Sequence, residues 1–138
     1  MASRREDGAQ PSKALSICLV TGEFPPMQGG VGDYTRELGR ACVRLGHHVA
    51  VITSHKGTWS EPGLTVYPIV GAWDFRCWGD IMRACRETAA DILHIQYQTA
   101  AYGMHPAINL LPLRLRYSSR RPRTVITYHD LRVPYLFP

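Results

Sequence analysis

Apolar residues recur along this chain with two different periods, and the alternation between them organises the sequence. Leu15 to Val20 is a compact apolar run rich in branched side chains and flanked by polar residues, which predicts a strand buried on both faces at the centre of a sheet. From Gly32 or Asp33 to Leu45 the period becomes helical. Tyr34, Leu38, Ala41, Cys42 and Leu45 form one stripe, Arg36, Glu37, Arg40 and Arg44 the opposite one, and Gly46 ends the helix. His47 to Thr53 predicts a second strand through Val49, Ala50, Val51 and Ile52, and Leu64 to Tyr67 a short third one closed by Pro68. Helical spacing returns from Trp78 to Ala90, with Ile81, Met82 and Cys85 on one side, and Asp91 to Ile95 reads as a fourth strand. Pro106 opens a further helix to about Arg116, in which Pro112 predicts a kink or an early stop; Thr124 to Tyr128 is the fifth strand.

Strands alternating with amphipathic helices predict an α/β fold: a Rossmann-like parallel β-sheet with helices on both faces and strand order 3-2-1-4-5. With 138 residues the chain has room for one such domain. Residues 1–13 read as a polar, disordered lead-in, and 14–138 as the single domain. The last residues, Leu131 to Pro138, are apolar and broken by proline, and read as a chain cut before its packing partner, with a hydrophobic tail folded back on the sheet as the other reading.

Composition narrows the function classes. Apolar residues at 45% and charged ones at 20% are those of a globular protein, and no stretch is apolar for long enough to cross a bilayer. The start lacks the apolar core of a secretory signal, so a cytoplasmic location is the expectation. Cys18, Cys42, Cys77 and Cys85 have no CxxC spacing and read as buried thiols, not as zinc ligands or a disulfide framework. The net charge of +5 favours phosphate-bearing partners or an anionic membrane surface. Its densest part, Arg114, Arg116, Arg120, Arg121 and Arg123, reads either as a peripheral contact with an anionic membrane or as the solvated end of a helix. No aromatic residues interleave with it as a single-stranded nucleic acid would require, so no nucleic-acid partner is expected.

Chemistry is expected where loops leave the carboxyl ends of strands. Three segments meet there in the expected strand order: Gly29-Gly30-Val31-Gly32 after the first strand, Gln96-Tyr97-Gln98 after the fourth, and His129-Asp130 after the fifth. The glycine loop is not a P-loop, because Asp33 stands where the lysine and hydroxyl should be. It also departs from a dinucleotide fingerprint, with Thr35 in place of the last glycine and no acid ending the second strand; a small dinucleotide-binding oxidoreductase is thus a weakened alternative. What remains is a backbone that can approach a phosphate or sugar hydroxyl, or a turn whose glycines serve only its geometry. Asp33 reads as the helix N-cap. His129 is the leading side chain for proton transfer or hydrogen bonding to a ligand, with a structural histidine tying two loops as the other reading. Glu23, Gln96, Tyr97 and Gln98 suit the hydroxyls of an acceptor. No metal ligand set is present, and no Gly-Xaa-Ser-Xaa-Gly elbow supports acyl transfer.

The run Phe24-Pro25-Pro26-Met27-Gln28-Gly29-Gly30-Val31-Gly32-Asp33-Tyr34, followed by Leu38 and Leu45-Gly46-His47-His48-Val49, resembles the amino-terminal half of GT-B glycosyltransferases of family 4. Asp91-Ile92-Leu93-His94-Ile95-Gln96 and Thr124-Val125-Ile126-Thr127-Tyr128-His129-Asp130 extend the resemblance. It implies retaining transfer of a sugar from a nucleotide-sugar donor to an acceptor, with no bound metal and no tightly held cofactor. It further implies that Gly29, Gly30 and Val31 approach the donor phosphates, that His129 lies near the transferred sugar, and that Asp130 orients the loop or the imidazole. The acceptor is a sugar, lipid or other hydroxyl compound, and the donor-binding carboxyl-terminal domain is a partner in cis or in trans, without which the chain is expected to be inactive. A noncatalytic α/β binding or interaction domain is the alternative.

Overall fold

The computed structural model describes residues 12–130. The tail from Leu131 and all of the lead-in but Ser12 and Lys13 lie outside them. The elements run β1 (Ser16–Thr21), α1 (Gly30–Arg44), β2 (His48–Ser54), β3 (Leu64–Val70), α2 (Cys77–Glu87), β4 (Ile92–Tyr97), a single 3₁₀ turn (Thr99–Tyr102), α3 (Ala107–Leu115) and β5 (Arg123–Tyr128). The five strands form one sheet in the order β3-β2-β1-β4-β5, and all four ladders are parallel. This is the Rossmann-like topology that the alternating periods predict.

The pleat sends alternate side chains of β1 into two cores. Ile17 and Leu19 join Val49, Val51 and Phe24 under Leu38, Cys42 and Val43 of α1. Cys18 and Val20 join Ala50, Ile52, Leu93 and Ile95 under α2 and α3, through Ile81, Ala84, Cys85, Ile108, Leu111 and Leu115. Helices therefore cover both faces, α1 on one and α2 with α3 on the other. Gly39 is the point of closest approach of α1: a Cβ there would lie 3.0 Å from a methyl group of Leu64 and 3.5 Å from one of Leu19.

Several local expectations are corrected. Pro68 does not close β3, which continues to Val70. Pro68 sits opposite Thr53, and the register then shifts so that Ser54 meets Val70. An edge strand tolerates this, because one side of its backbone needs no partner. Pro112 does not stop α3 either. The ring removes one helical hydrogen bond, but Ala107, Ile108, Leu111 and Leu115 are buried, and that burial holds a nine-residue helix together across the defect. The fourth strand runs to Tyr97, so Gln96 and Tyr97 belong to the sheet and not to a loop. Helix α1 begins at Gly30, which makes Asp33 a first-turn residue instead of the cap; no side chain caps this helix. Tyr34 and Leu45, assigned to the buried stripe, are 45% and 73% exposed.

Tyr102 locks the carboxyl edge of the sheet. Its ring is 1% exposed, and its hydroxyl lies 2.7 Å from the Gln96 carbonyl and 3.1 Å from that of Val20, so one phenol serves the ends of β4 and β1. Burial pushes its ionisation well above the ordinary tyrosine range. Tyr102→Phe removes the donor and leaves buried carbonyl oxygens short of a partner. The expected cost is about 1–2 kcal/mol, read as a lower urea midpoint at unchanged denaturant slope.

Candidate functional site

The chain leaving β1 is fixed before it reaches the glycines. Gly22 passes so close beneath Ala101 that a Cβ would collide with the Ala101 carbonyl. The Thr21 hydroxyl donates to the Glu23 carbonyl at 2.7 Å, Phe24 is fully buried, and the Trp59 amide donates to the Pro25 carbonyl at 2.9 Å. The β1–α1 connection is therefore anchored to the core and to the β2–β3 loop.

The glycines that follow divide their work. A Cβ at Gly29 would run into the Glu23 carboxylate, and one at Gly32 would lie 3.1 Å from the Glu23 carbonyl oxygen, so both make room for the β1 loop. Gly30 has nothing within 4 Å of that position and is exposed, whereas Val31 is 5% exposed and packs inward. The first helical bond runs from the Asp33 amide to the Gly29 carbonyl at 3.2 Å, which leaves the amides of Gly30, Val31 and Gly32 without an intrahelical acceptor. The positive end of the α1 dipole is thus presented at the carboxyl edge, with Gly30 as its open residue. Thr35 closes the first turn through a 2.7 Å bond from its hydroxyl to the Val31 carbonyl.

His129 reaches the same edge from β5. Its amide donates to the Tyr97 carbonyl at 2.9 Å, continuing the ladder one residue past the strand. Its Nε2 lies 2.9 Å from Oε1 of Gln96, which is fully buried on β4. An amide oxygen only accepts, so Nε2 carries the imidazole proton and Nδ1 is the nitrogen left for a ligand. Tyr34 of α1 meets the ring edge to face, with centroids 4.8 Å apart. Three elements therefore hold one half-buried imidazole.

Burial lowers the His129 pKa from its ordinary value of 6.5, against an opposing pull from the Asp130 carboxylate. Neighbouring His94, whose Nε2 is 2.8 Å from the Thr127 hydroxyl, is lowered by burial and then by His129. Both rings are neutral near pH 7. Because each folded-state pKa lies below the unfolded one, protonation favours unfolding: the stability from these neutral rings is full above about pH 6.5 and falls as the pH drops towards their folded-state values.

The other residues expected at the site are distributed unevenly. Gln98 and Glu23 are half-buried at the carboxyl edge. Tyr97 is 8% exposed and turned to the opposite face from Gln96, where it stacks on Tyr102 and its hydroxyl accepts from Asn109 at 3.0 Å. Asp130 makes no hydrogen bond to His129 among the described residues, so Gln96 and Tyr34 orient the imidazole there. Sequence reasoning missed Tyr34 as a ring partner, having placed it in the core stripe. Its position one turn after Gly30 is the signal that could have placed it at the site. Among the described residues, the buried side-chain atoms without a partner are Arg36 Nε, Thr53 Oγ1, Gln96 Nε2 and Asp130 Oδ1. Thr53 and Gln96 are the penultimate residues of β2 and β4, and Asp130 lies two residues past β5, so three of these atoms sit at the carboxyl edge.

The family model described as Glycosyltransferase Family 4 matches residues 28–137, from the glycine loop through α1 to β5 and leaving only β1 of the elements above outside it. The chain belongs to glycosyltransferase family 4. No curated protein sequence matches it. Membership sets aside the dinucleotide oxidoreductase and assigns the sheet to one half of a GT-B fold. Among the described residues of this family 4 domain, no group of three or more His, Cys, Asp or Glu side chains is placed to hold a metal ion, and no helix is long and apolar enough to cross a membrane.

The Gln96 contact is open to direct measurement. In ¹⁵N-histidine NMR spectra, His129 is expected as the Nε2–H tautomer with a midpoint below 6.5. Gln96→Leu is expected to release the tautomer into a mixture, and Gln96→Glu to raise the midpoint by placing a carboxylate against the ring. An Nδ1–H tautomer in the unsubstituted domain would refute the assignment.

Proposed function

We propose that this domain forms the acceptor-side wall of the cleft in a retaining glycosyltransferase, which moves a sugar from a nucleotide-sugar donor to the hydroxyl of a sugar, lipid or other acceptor. The donor is gripped by a second domain, supplied in cis or in trans. The observation that supports this reading is the juxtaposition, in a family 4 chain, of the open α1 N-terminus at Gly30 with the His129 ring held by Gln96 and Tyr34.

Each part has a chemical use. Negative charge grows on the departing nucleoside diphosphate during transfer, and free amides at a helix start stabilise it without reorganising. A neutral imidazole whose Nε2 is already committed offers Nδ1 as an acceptor, which selects a sugar hydroxyl over a phosphate oxygen. The Glu23 carboxylate lies against Gly29, beside the amides where an anion is favoured. A donor phosphate arriving there displaces it, and the released carboxylate, with the Gln98 amide, is placed for acceptor hydroxyls. Asp130 raises the proton affinity of His129 against the effect of burial.

Calorimetry of the 138-residue chain with UDP- and GDP-sugars is expected to show little or no binding, because this wall supplies only the helix start and one imidazole. Tight one-to-one binding would overturn the division of labour between two domains. In an enzyme joining this chain to a donor-binding domain, His129→Ala is expected to lower kcat/KM by about 100-fold or more with the circular dichroism spectrum unchanged. Unchanged turnover would remove His129 from the mechanism, and absence of transfer with any donor would favour a noncatalytic binding domain.

A further inference from the structure

Between Asp91 and Asp130 the chain carries no carboxylate and five arginines, Arg114, Arg116, Arg120, Arg121 and Arg123. None of the five forms an ion pair among the described residues, in contrast to Arg36, Arg40, Arg76 and Arg83. Arg120, Arg121 and Arg123 line one cleft of about 430 Å³ at the amino edge of the sheet, between the α3–β5 connection and the starts of β1 and β4. The carboxylate in that cleft, Asp91, accepts the Ser16 amide at 2.8 Å.

One exposed face of α3, the helix that leads into this connection, is apolar where it should be polar. Leu110 and Leu113 are 42% and 51% exposed, and Tyr117, just past the helix, is 80% exposed. At about 100° per residue these three and Arg114 fall on one stripe, on the side of the helix away from buried Ile108, Leu111 and Leu115. An apolar stripe edged by arginines and ending in a tyrosine has the composition of a surface that lies in the boundary between lipid headgroups and acyl chains. Nucleic acid would use the arginines and leave the leucines in water. A binding site for a small anion would use the cleft alone.

We propose that the α3–β5 face docks this domain on an anionic lipid surface, with Leu110, Leu113 and Tyr117 entering the interface and the five arginines held against the headgroups. Charge complementarity and exposed apolar area favour this occupant independently of the reaction proposed above. The cleft's arginines and the stripe act together, so binding requires anionic lipid and falls as salt screens it.

The test is sedimentation of the 138-residue chain with extruded vesicles. Co-sedimentation is expected with phosphatidylcholine vesicles containing phosphatidylglycerol, is expected to be absent with phosphatidylcholine alone, and is expected to fall steeply between 50 mM and 500 mM salt. Replacing Arg120, Arg121 and Arg123 together by Gln is expected to weaken binding by about 100-fold, at roughly fivefold per arginine. Leu113→Ser with Tyr117→Ser is expected to weaken vesicle binding and leave retention on heparin unchanged. All these side chains are exposed, so circular dichroism spectra should match the unsubstituted chain. No binding to the anionic vesicles at low salt would overturn the proposal, as would retention of vesicle binding by either variant. Loss of heparin and vesicle binding in equal measure on the Leu113 and Tyr117 changes would also overturn it, since the apolar groups would then have no role specific to lipid.

Discussion

The position of every group at the carboxyl edge depends on β1 being buried on both faces. Cys18, Leu19 and Val20 have no exposed surface, so the strand feeds two cores at once and must have its backbone paired on both sides, by β2 and by β4. A strand held that way ends at a fixed point. The chain leaving it runs under Ala101 at Gly22, drops Phe24 into the core beneath α1, and returns past Gly32 to start the helix. The glycines are thus as much a packing device as a ligand loop: of the four in the expected cradle, Gly29 and Gly32 admit the Glu23 segment and Val31 is buried, which leaves Gly30 as the open approach.

The same burial sets the electrostatics. Gln96 lies opposite Thr21 on one side and Thr127 on the other, on a strand flanked by neighbours on both edges. An amide with no exposed surface in that position would be a liability if it had no use. Its oxygen is spent on His129, and its nitrogen has no partner among the described residues. Burial lowers the pKa of the imidazole, and the Gln96 oxygen held beside it fixes which nitrogen carries the proton. Stability is given up at one point to define a single hydrogen-bonding state at another.

The sheet was legible in the sequence because its signals are local: apolar runs of strand length, a helical stripe in α1, and glycines between them. The strand order followed once alternation implied parallel strands. What escaped the reading depended on tertiary context. Pro68 and Pro112 are breakers by local rules, and an edge position and a buried helix face override them. The 3₁₀ turn at Thr99–Tyr102 has no periodicity to announce it, yet it delivers the phenol that ties β1 to β4. In the candidate site, His129 and Gln96 were legible as polar residues at strand ends. Their contact was not, since it joins residues 33 positions apart in sequence, and neither was the inward turn of Tyr97, which the pleat assigns once Gln96 is known to face α1.

Strand polarity also decides what the positive charge is for. In a parallel sheet each strand-to-helix loop lands on the carboxyl edge and each helix-to-strand loop on the amino edge. The connection from α3 to β5 is of the second kind, so Arg120, Arg121 and Arg123 stand a full strand length from His129, although they precede it by only nine, eight and six residues. A six-residue strand spans about 20 Å, roughly two Debye lengths at physiological salt. The charge of these arginines is therefore poorly placed to act at the carboxyl edge, where the free α1 amides and the His129 imidazole lie. Those arginines belong to the lipid-docking face proposed above, at the other pole of the sheet.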